Sequence, residues 1–276
     1  MSWIDALILG IVQGLAEYLP ISSSGHLEIF RDILGLQLSG EDVLEFDIAL
    51  HMATVLSTIV ILWREFVPLC RSFFTFKRDS DFYYVCKILV SCIPIAIVGF
   101  CFKDFVESFF GGSLTTVGIC LLVTAALLSF AYFFRNPLRD PYSVNTGRYD
   151  GHDITWLDAF VIGCAQAVAV LPGLSRSGTT IATGLLLGNK RDKIAQFSFF
   201  MVIIPILGEA LLDVKDMIGG EGSGQAIGFL PLVVGFVTSF AVGCAACKWM
   251  IELVKKGKLI WFALYCLAVG ILCIVW

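Results

Sequence analysis

Six long apolar runs separated by short polar segments leave this chain few folds to choose from: about Val43 to Trp63, Tyr84 to Phe102, Leu114 to Phe134, Ala195 to Asp213, Ile227 to Cys247 and Leu259 to Trp276. Each is long enough, as a helix, to cross roughly 30 Å of hydrocarbon. In lipid the backbone must satisfy its own N–H and C=O groups, and within one segment only a helix does so. A mean hydropathy of +0.86, with 58% hydrophobic and 15% charged residues, fixes lipid as the solvent. Met1 to Leu19 lacks a basic start and a small-residue cleavage site, so it is expected to stay in the mature chain. The ten cysteines lie largely inside apolar runs, without disulfide or zinc spacing, and read as small packing residues. A net charge of -4, with no basic patch interleaved with aromatics, excludes nucleic acid as a partner.

Two further regions, Ile4 to Leu36 and Trp156 to Leu187, are cut near the middle by proline, glycine and serine into pieces too short to cross comfortably. Each reads as a re-entrant helical hairpin. Lys and Arg favour the cytoplasmic side, and segments 64 to 87, 135 to 154, 189 to 194 and 248 to 258 hold all but four of them: Arg31, Lys103, Lys215 and Arg176. Glu41, Asp42, Glu45, Asp104, Glu107, Asp216 and Glu221 lie on the Lys/Arg-poor side. The expected topology has both termini external, the first hairpin opening outward and the second inward.

A shift of 153 residues sets SWIDALILGIVQGLAEYLPISSSGHL over TWLDAFVIGCAQAVAVLPGLSRSGTT without a gap. The identities are Trp3/Trp156, Asp5/Asp158, Ala6/Ala159, Gly10/Gly163, Gln13/Gln166, Ala16/Ala169, Ser22/Ser175, Ser24/Ser177 and Gly25/Gly178. Read with the charge pattern, the copies form an inverted-topology repeat. The expected fold is an all-α polytopic membrane protein with a single membrane domain over 1–276. Its halves, 1–134 and 155–276, each contain one re-entrant helical hairpin plus three transmembrane helices.

Ser2 with Asp5, and Thr155 with Asp158, resemble capping boxes opening each hairpin. Ala6, Gly10 and Gly14, matched by Ala159, Gly163 and Ala167, make small-residue stripes for close helix approach. The differences between the copies point to chemistry: Glu17 faces Val170, Ser23 faces Arg176, and His26 faces Thr179. One pocket where the tips meet would then hold a carboxylate, an imidazole and a guanidinium.

SSSG and SRSG each follow a proline and precede a short helix, whose N-terminal amides favour an anion; the serines equally serve as caps. Arginine at membrane depth is costly and is a functional hypothesis by default, so Arg176 is read as a phosphate clamp. Glu17, with Gln13 one turn earlier on the same face, is read as a ligand for Mg²⁺ or Ca²⁺ bridging to phosphate, against a plain ion pair with Arg176. His26 is a candidate for proton relay or nucleophilic attack, against a buried histidine satisfied by a neighbour. His51, in the first full span, is read as supporting the site, against simple packing. His152, in a polar loop, is read as having no catalytic part.

At VQGLAEYLPISSSGH and PGLSRSGTT the sequence closely resembles the bacterial undecaprenyl-diphosphatase family, the bacitracin-resistance type of polyprenyl diphosphate phosphatase. The resemblance implies a multi-pass enzyme of the bacterial inner membrane. Such an enzyme converts undecaprenyl diphosphate to undecaprenyl phosphate and so recycles the lipid carrier of cell-wall sugars. Carried over by motif, Glu17 is the acidic residue, Ser23 and His26 the polar pair after it, and Ser175, Arg176 and Thr180 the phosphate loop. The resulting expectation assigns Glu17, Ser23, His26 and Arg176 to catalysis, with Glu17 also the metal residue. Gln13, Ser22, Ser24, Ser175, Ser177 and Thr180 are assigned to substrate binding. Gln13 stands where many members carry glutamate, which leaves a cation fewer charged ligands. The partners expected are the polyprenyl diphosphate and membrane lipids, and a homodimer is compatible with the reading. The nucleophile is left open among His26, Ser23 and a water activated by His26. The competing reading is a lipid-phosphate transporter using the same pocket, since inverted repeats with broken helices are a common transporter plan.

Overall fold

The computed structural model describes residues 1–102, 113–134, 151–218 and 227–276, without the side chains of Glu41 and 212–218. Lys103, Asp104, Glu107, Glu221 and residues 135–150, used in the charge reading, lie outside the described residues, as do the side chains of Glu41, Lys215 and Asp216. The described chain is helical: α1 (Trp3–Ala16), α2 (Ser23–Ile33), α3 (Gly40–Ile61), α4 (Trp63–Phe74), α5 (Ser80–Cys101), α6 (Leu114–Phe134), α7 (Trp156–Val168), α8 (Arg176–Leu186), α9 (Arg191–Ile218), α10 (Phe229–Lys255) and α11 (Ile260–Val275).

Among the described residues five helical stretches are long and apolar enough to cross a membrane: Asp42–Ile61, Ser80–Cys101, Leu114–Phe134, Arg191–Leu211 and Phe229–Lys255. They make the chain polytopic. The sixth expected span is the 16-residue α11, a shorter apolar helix about 24 Å long at 1.5 Å per residue. Segment 64 to 87, read above as a connection, contains α4. This helix carries Arg64, Glu65 and Arg71 on one side and leaves Trp63 and Phe74 exposed. Its charges made it look like a loop, although their spacing is that of an amphipathic helix.

Both broken segments fold as helix, turn and helix, and each begins with a capping box. In α1 the Ser2 amide donates to Asp5 Oδ2 at 2.8 Å and the Asp5 amide to Ser2 Oγ at 3.2 Å. In α7 the Thr155 amide donates to Asp158 Oδ2 at 2.8 Å and the Asp158 amide to Thr155 Oγ1 at 3.1 Å. The second helices are capped alike: Ser22 Oγ accepts from the Gly25 amide and Ser175 Oγ from the Gly178 amide.

The small-residue stripes carry the packing. α1 lies along α10, where a Cβ on Gly10 would stand 2.7 Å from the Gly235 carbonyl oxygen. α7 lies along α5, where a Cβ on Gly163 would stand 2.3 Å from the Ser91 carbonyl oxygen. Only glycine allows these backbones so close, and the gain is van der Waals contact that lipid cannot supply. α6 packs on α11, and α3 on α10 and α9. All ten cysteines are free thiols, as their scatter along apolar runs predicts.

Candidate functional site

The turns of the two hairpins touch. Ser177 Oγ donates to the Leu19 carbonyl oxygen at 3.2 Å, and a Cβ on Gly25 would meet the Gly173 Cα at 3.0 Å. Ser22, at the first turn, holds φ of 71°, a conformation that costs a non-glycine residue energy and is kept only where its surroundings impose it.

Beside this junction lies a narrow cavity of about 20 Å³, enough for a water molecule. Its lining includes Glu17 and Tyr18 from the first hairpin, Gln166, Arg176, Ser177 and Thr180 from the second, Thr54 and Thr58 from α3, and Ser198 from α9. The wall behind is fixed by Tyr18, whose hydroxyl donates to the Thr54 carbonyl oxygen at 2.7 Å and whose ring meets Phe199 edge-on. Thr180 Oγ1 donates to the Arg176 carbonyl oxygen at 2.8 Å and lies 2.6 Å from Ser198 Oγ.

Glu17, its side chain 7% exposed, is the centre of the polar contacts. Oε2 accepts from Gln13 Nε2 at 3.0 Å and from Ser23 Oγ at 2.8 Å, and stands 3.8 Å from His51 Nε2. His51 thus stands on α3 beside the Glu17 carboxylate. Among the described residues the Arg176 guanidinium has no hydrogen-bond or ion-pair partner, although it shares the cavity with Glu17. A guanidinium without a hydrogen-bond partner, in the same cavity as a carboxylate, is primed for a third, charged party. A half-buried charge without a hydrogen bond would otherwise be expensive.

The remaining expected residues fall in two groups. Ser22 and Ser175 are engaged as caps, with the Ser175 amide donating to Thr124 Oγ1 at 3.2 Å, and Ser177 spends its hydroxyl on Leu19. Ser24 lies 3.4 Å from Ser22 Oγ. His26 is not among the cavity's lining residues. Its Nδ1 is 2.8 Å from the Ser22 carbonyl oxygen and its Nε2 2.8 Å from the Tyr265 hydroxyl on α11, with the two rings stacked. A carbonyl only accepts, so Nδ1 carries the proton and Nε2 accepts from Tyr265. The expected gathering of Glu17, Arg176 and His26 in one pocket therefore holds for the first two, and the imidazole points away because a buried ring goes where both nitrogens find partners.

His152 lies outside this cavity, as expected. It ties the mouth of the second hairpin, where Nε2 is 3.0 Å from the Leu187 carbonyl oxygen and Asn189 Nδ2 donates to Asp158 Oδ2 at 2.9 Å. Sequence reasoning missed Tyr265 and Ser198, which reach the site only through tertiary packing. It also passed over Gln166, whose repeat identity with Gln13 was the available signal.

A divalent cation would find oxygen donors here. Among the described residues no cluster of three His, Cys, Asp or Glu exists. Yet Gln13 Oε1 is a buried acceptor without a partner next to the Glu17 carboxylate. One carboxylate and one amide oxygen suit a hard cation that takes its other ligands from phosphate and water.

Fold and site together define a polytopic membrane protein that brings an acid and a free arginine from two broken-helix hairpins to one buried cavity. The chain belongs to the family of the bacitracin resistance protein BacA, whose model matches residues 6–272. It is 56% identical over 275 residues to an undecaprenyl-diphosphatase of Bacteroides fragilis, covering 100% of this chain and 98% of the relative. The undecaprenyl-diphosphatase of Parabacteroides distasonis is 55% identical over 274 residues, with 99% and 98% covered. That of Oceanobacillus iheyensis is 38% identical over 275 residues, with 97% and 94% covered.

Proposed function

We propose that this protein is an undecaprenyl-diphosphatase: it hydrolyses undecaprenyl diphosphate at the bacterial inner membrane to undecaprenyl phosphate and inorganic phosphate. The observation that carries the reading is the meeting of Glu17 and unpaired Arg176 in one cavity at the junction of the hairpins. Full-length relatives bearing that name support the substrate. Phosphoanhydride cleavage asks mainly for positioning and charge neutralisation, which an arginine and the N-terminus of α8 supply. The cavity as it stands admits water, so binding a diphosphate requires its walls to part, with the prenyl tail remaining among the apolar helices.

In this reading Ser23 is the nucleophile, since its hydroxyl already donates to Glu17 at 2.8 Å. Ser23 Oγ attacks the terminal phosphorus as its proton passes to Glu17; the bond to the bridging oxygen breaks and undecaprenyl phosphate leaves. Water then attacks the phosphoserine phosphorus, the bond to Ser23 Oγ breaks, and Glu17 returns its proton to Oγ as inorganic phosphate leaves. Arg176 and the backbone amides that open α8 hold the phosphate oxygens, with Ser177 and Thr180 forming the cavity wall beside them. His26 braces the serine turn through Ser22. Mg²⁺ or Ca²⁺ would be held by Glu17 and Gln13 Oε1, and would offset the diphosphate charge when bound.

The inverted repeat belongs to this proposal. α1 on α10 matches α7 on α5, α1 on α2 matches α7 on α8, and the capping boxes and caps fall at equivalent positions. With Lys and Arg concentrated on the other face, the site opens to the external side. The test is phosphate release by purified protein, with and without Mg²⁺ or Ca²⁺, beside Arg176→Ala and Glu17→Ala. Release that needs both residues is expected. No release from well-folded wild-type protein refutes the phosphatase.

A further inference from the structure

Gln13 and Gln166 are equivalent residues of the two hairpins, yet their surroundings differ. The Gln13 amide nitrogen is satisfied by Glu17, four residues on. At the equivalent place the second hairpin has Val170, which offers no acceptor. Gln166 is 1% exposed, lines the cavity with Arg176 and Thr180, and has no partner for either Nε2 or Oε1. Burying an amide with both ends unbonded is costly, and apolar side chains of the same size avoid the cost. A glutamine kept under those terms has a ligand to meet.

We infer that Gln166 is a substrate-binding residue: its Nε2 donates to a non-bridging oxygen of the terminal phosphate opposite Arg176. Oε1 accepts a hydrogen bond from the water that later cleaves the phosphoserine. A neutral donor complements the arginine here. It fixes the orientation of the phosphate without adding charge that would slow release of the anionic products. The inference rests on the phosphatase reading and adds to it a contact that neither motif contains.

The experiment compares wild type with Gln166→Leu, Gln166→Met and Gln166→Glu in detergent, following phosphate release from undecaprenyl diphosphate and thermal unfolding. A second arm measures inorganic pyrophosphate binding to each protein by titration calorimetry. The inference predicts that the Leu and Met variants lose about 10- to 100-fold in kcat/KM, the size of a lost hydrogen bond to a charged group. They should bind pyrophosphate more weakly and melt no lower than wild type, because an unbonded polar group has gone. The Glu variant should lose more, its carboxylate facing phosphate. A wild-type kcat/KM and unchanged pyrophosphate binding in the folded Leu or Met variant overturn the inference while leaving the phosphatase intact. Wild-type protein that releases no phosphate overturns both, and is recognised before any variant is made.

Discussion

Ser177, in the second hairpin, donates its hydroxyl to the carbonyl oxygen of Leu19 in the first, at 3.2 Å. That bond joins the two turns on the cavity wall. Ser177→Ala removes one of two hydrogen bonds to this carbonyl, the other coming from the Ile21 amide at 2.7 Å, a loss of about 0.5–1.5 kcal/mol. Thermal unfolding in detergent should register it, with phosphate release falling in parallel as the turns separate. Activity and stability both at wild-type level would show that the bond does not hold the junction.

The Ser23 to Glu17 contact predicts a covalent intermediate. Glu17→Gln should reduce kcat by about 100- to 10,000-fold, the usual worth of a positioned base. Acid quenching of wild type during turnover should leave phosphate on Ser23, detectable by mass spectrometry. Single-turnover transfer of labelled water oxygen directly into phosphate, with no modified serine, would assign the attack to water instead.

Tyr265 and His26 predict an effect at a distance from the phosphate. Tyr265→Phe removes one neutral hydrogen bond to Nε2, a cost of about 1 kcal/mol, or roughly fivefold in kcat if the serine turn loosens in step. His26→Asn, which loses the aromatic brace as well, should cost more. Were His26 the nucleophile, Tyr265→Phe would free its nitrogen and raise the rate.

Close backbone approach predicts an asymmetry among glycines. Gly163→Ala drives a methyl group to 2.3 Å from the Ser91 carbonyl oxygen, so α7 and α5 must part, at about 1–3 kcal/mol. Gly99→Ala, on the same α5 but with nothing within 4 Å, should be neutral or slightly stabilising. Equal melting temperatures for the two variants would mean that the stripe is not what holds the helices.

Much of the architecture was legible because it depends on local rules. Ser2 with Asp5, and Thr155 with Asp158, announce where each hairpin begins, and Pro20 and Pro172 stand where each one turns. Gly10 and Gly163 repeat at the register where helices touch. What escaped was decided by tertiary contact. The destination of the His26 ring depends on Tyr265, 239 positions away, which no spacing connects to it. α4 was hidden by its own charges, because a helix with one wet face scores poorly as a span. For Gln166 the sequence displayed the identity but not its meaning. Equivalence to Gln13 looked like structural repetition until the missing partner became visible.

The pairing of α1 with α10 has a consequence for how the chain is made. α1 is among the first helices to leave the ribosome and α10 among the last. At about 5–20 residues per second, the first hairpin waits on the order of ten to fifty seconds for its wall. During that interval the glycine stripe of α1 faces lipid, and the polar turn at Ser22 has no second hairpin to meet. The membrane insertion machinery, or α2 and α3 alone, must shelter it. Shortening the chain from its C-terminus past α11 and into α10 would therefore injure its N-terminal hairpin.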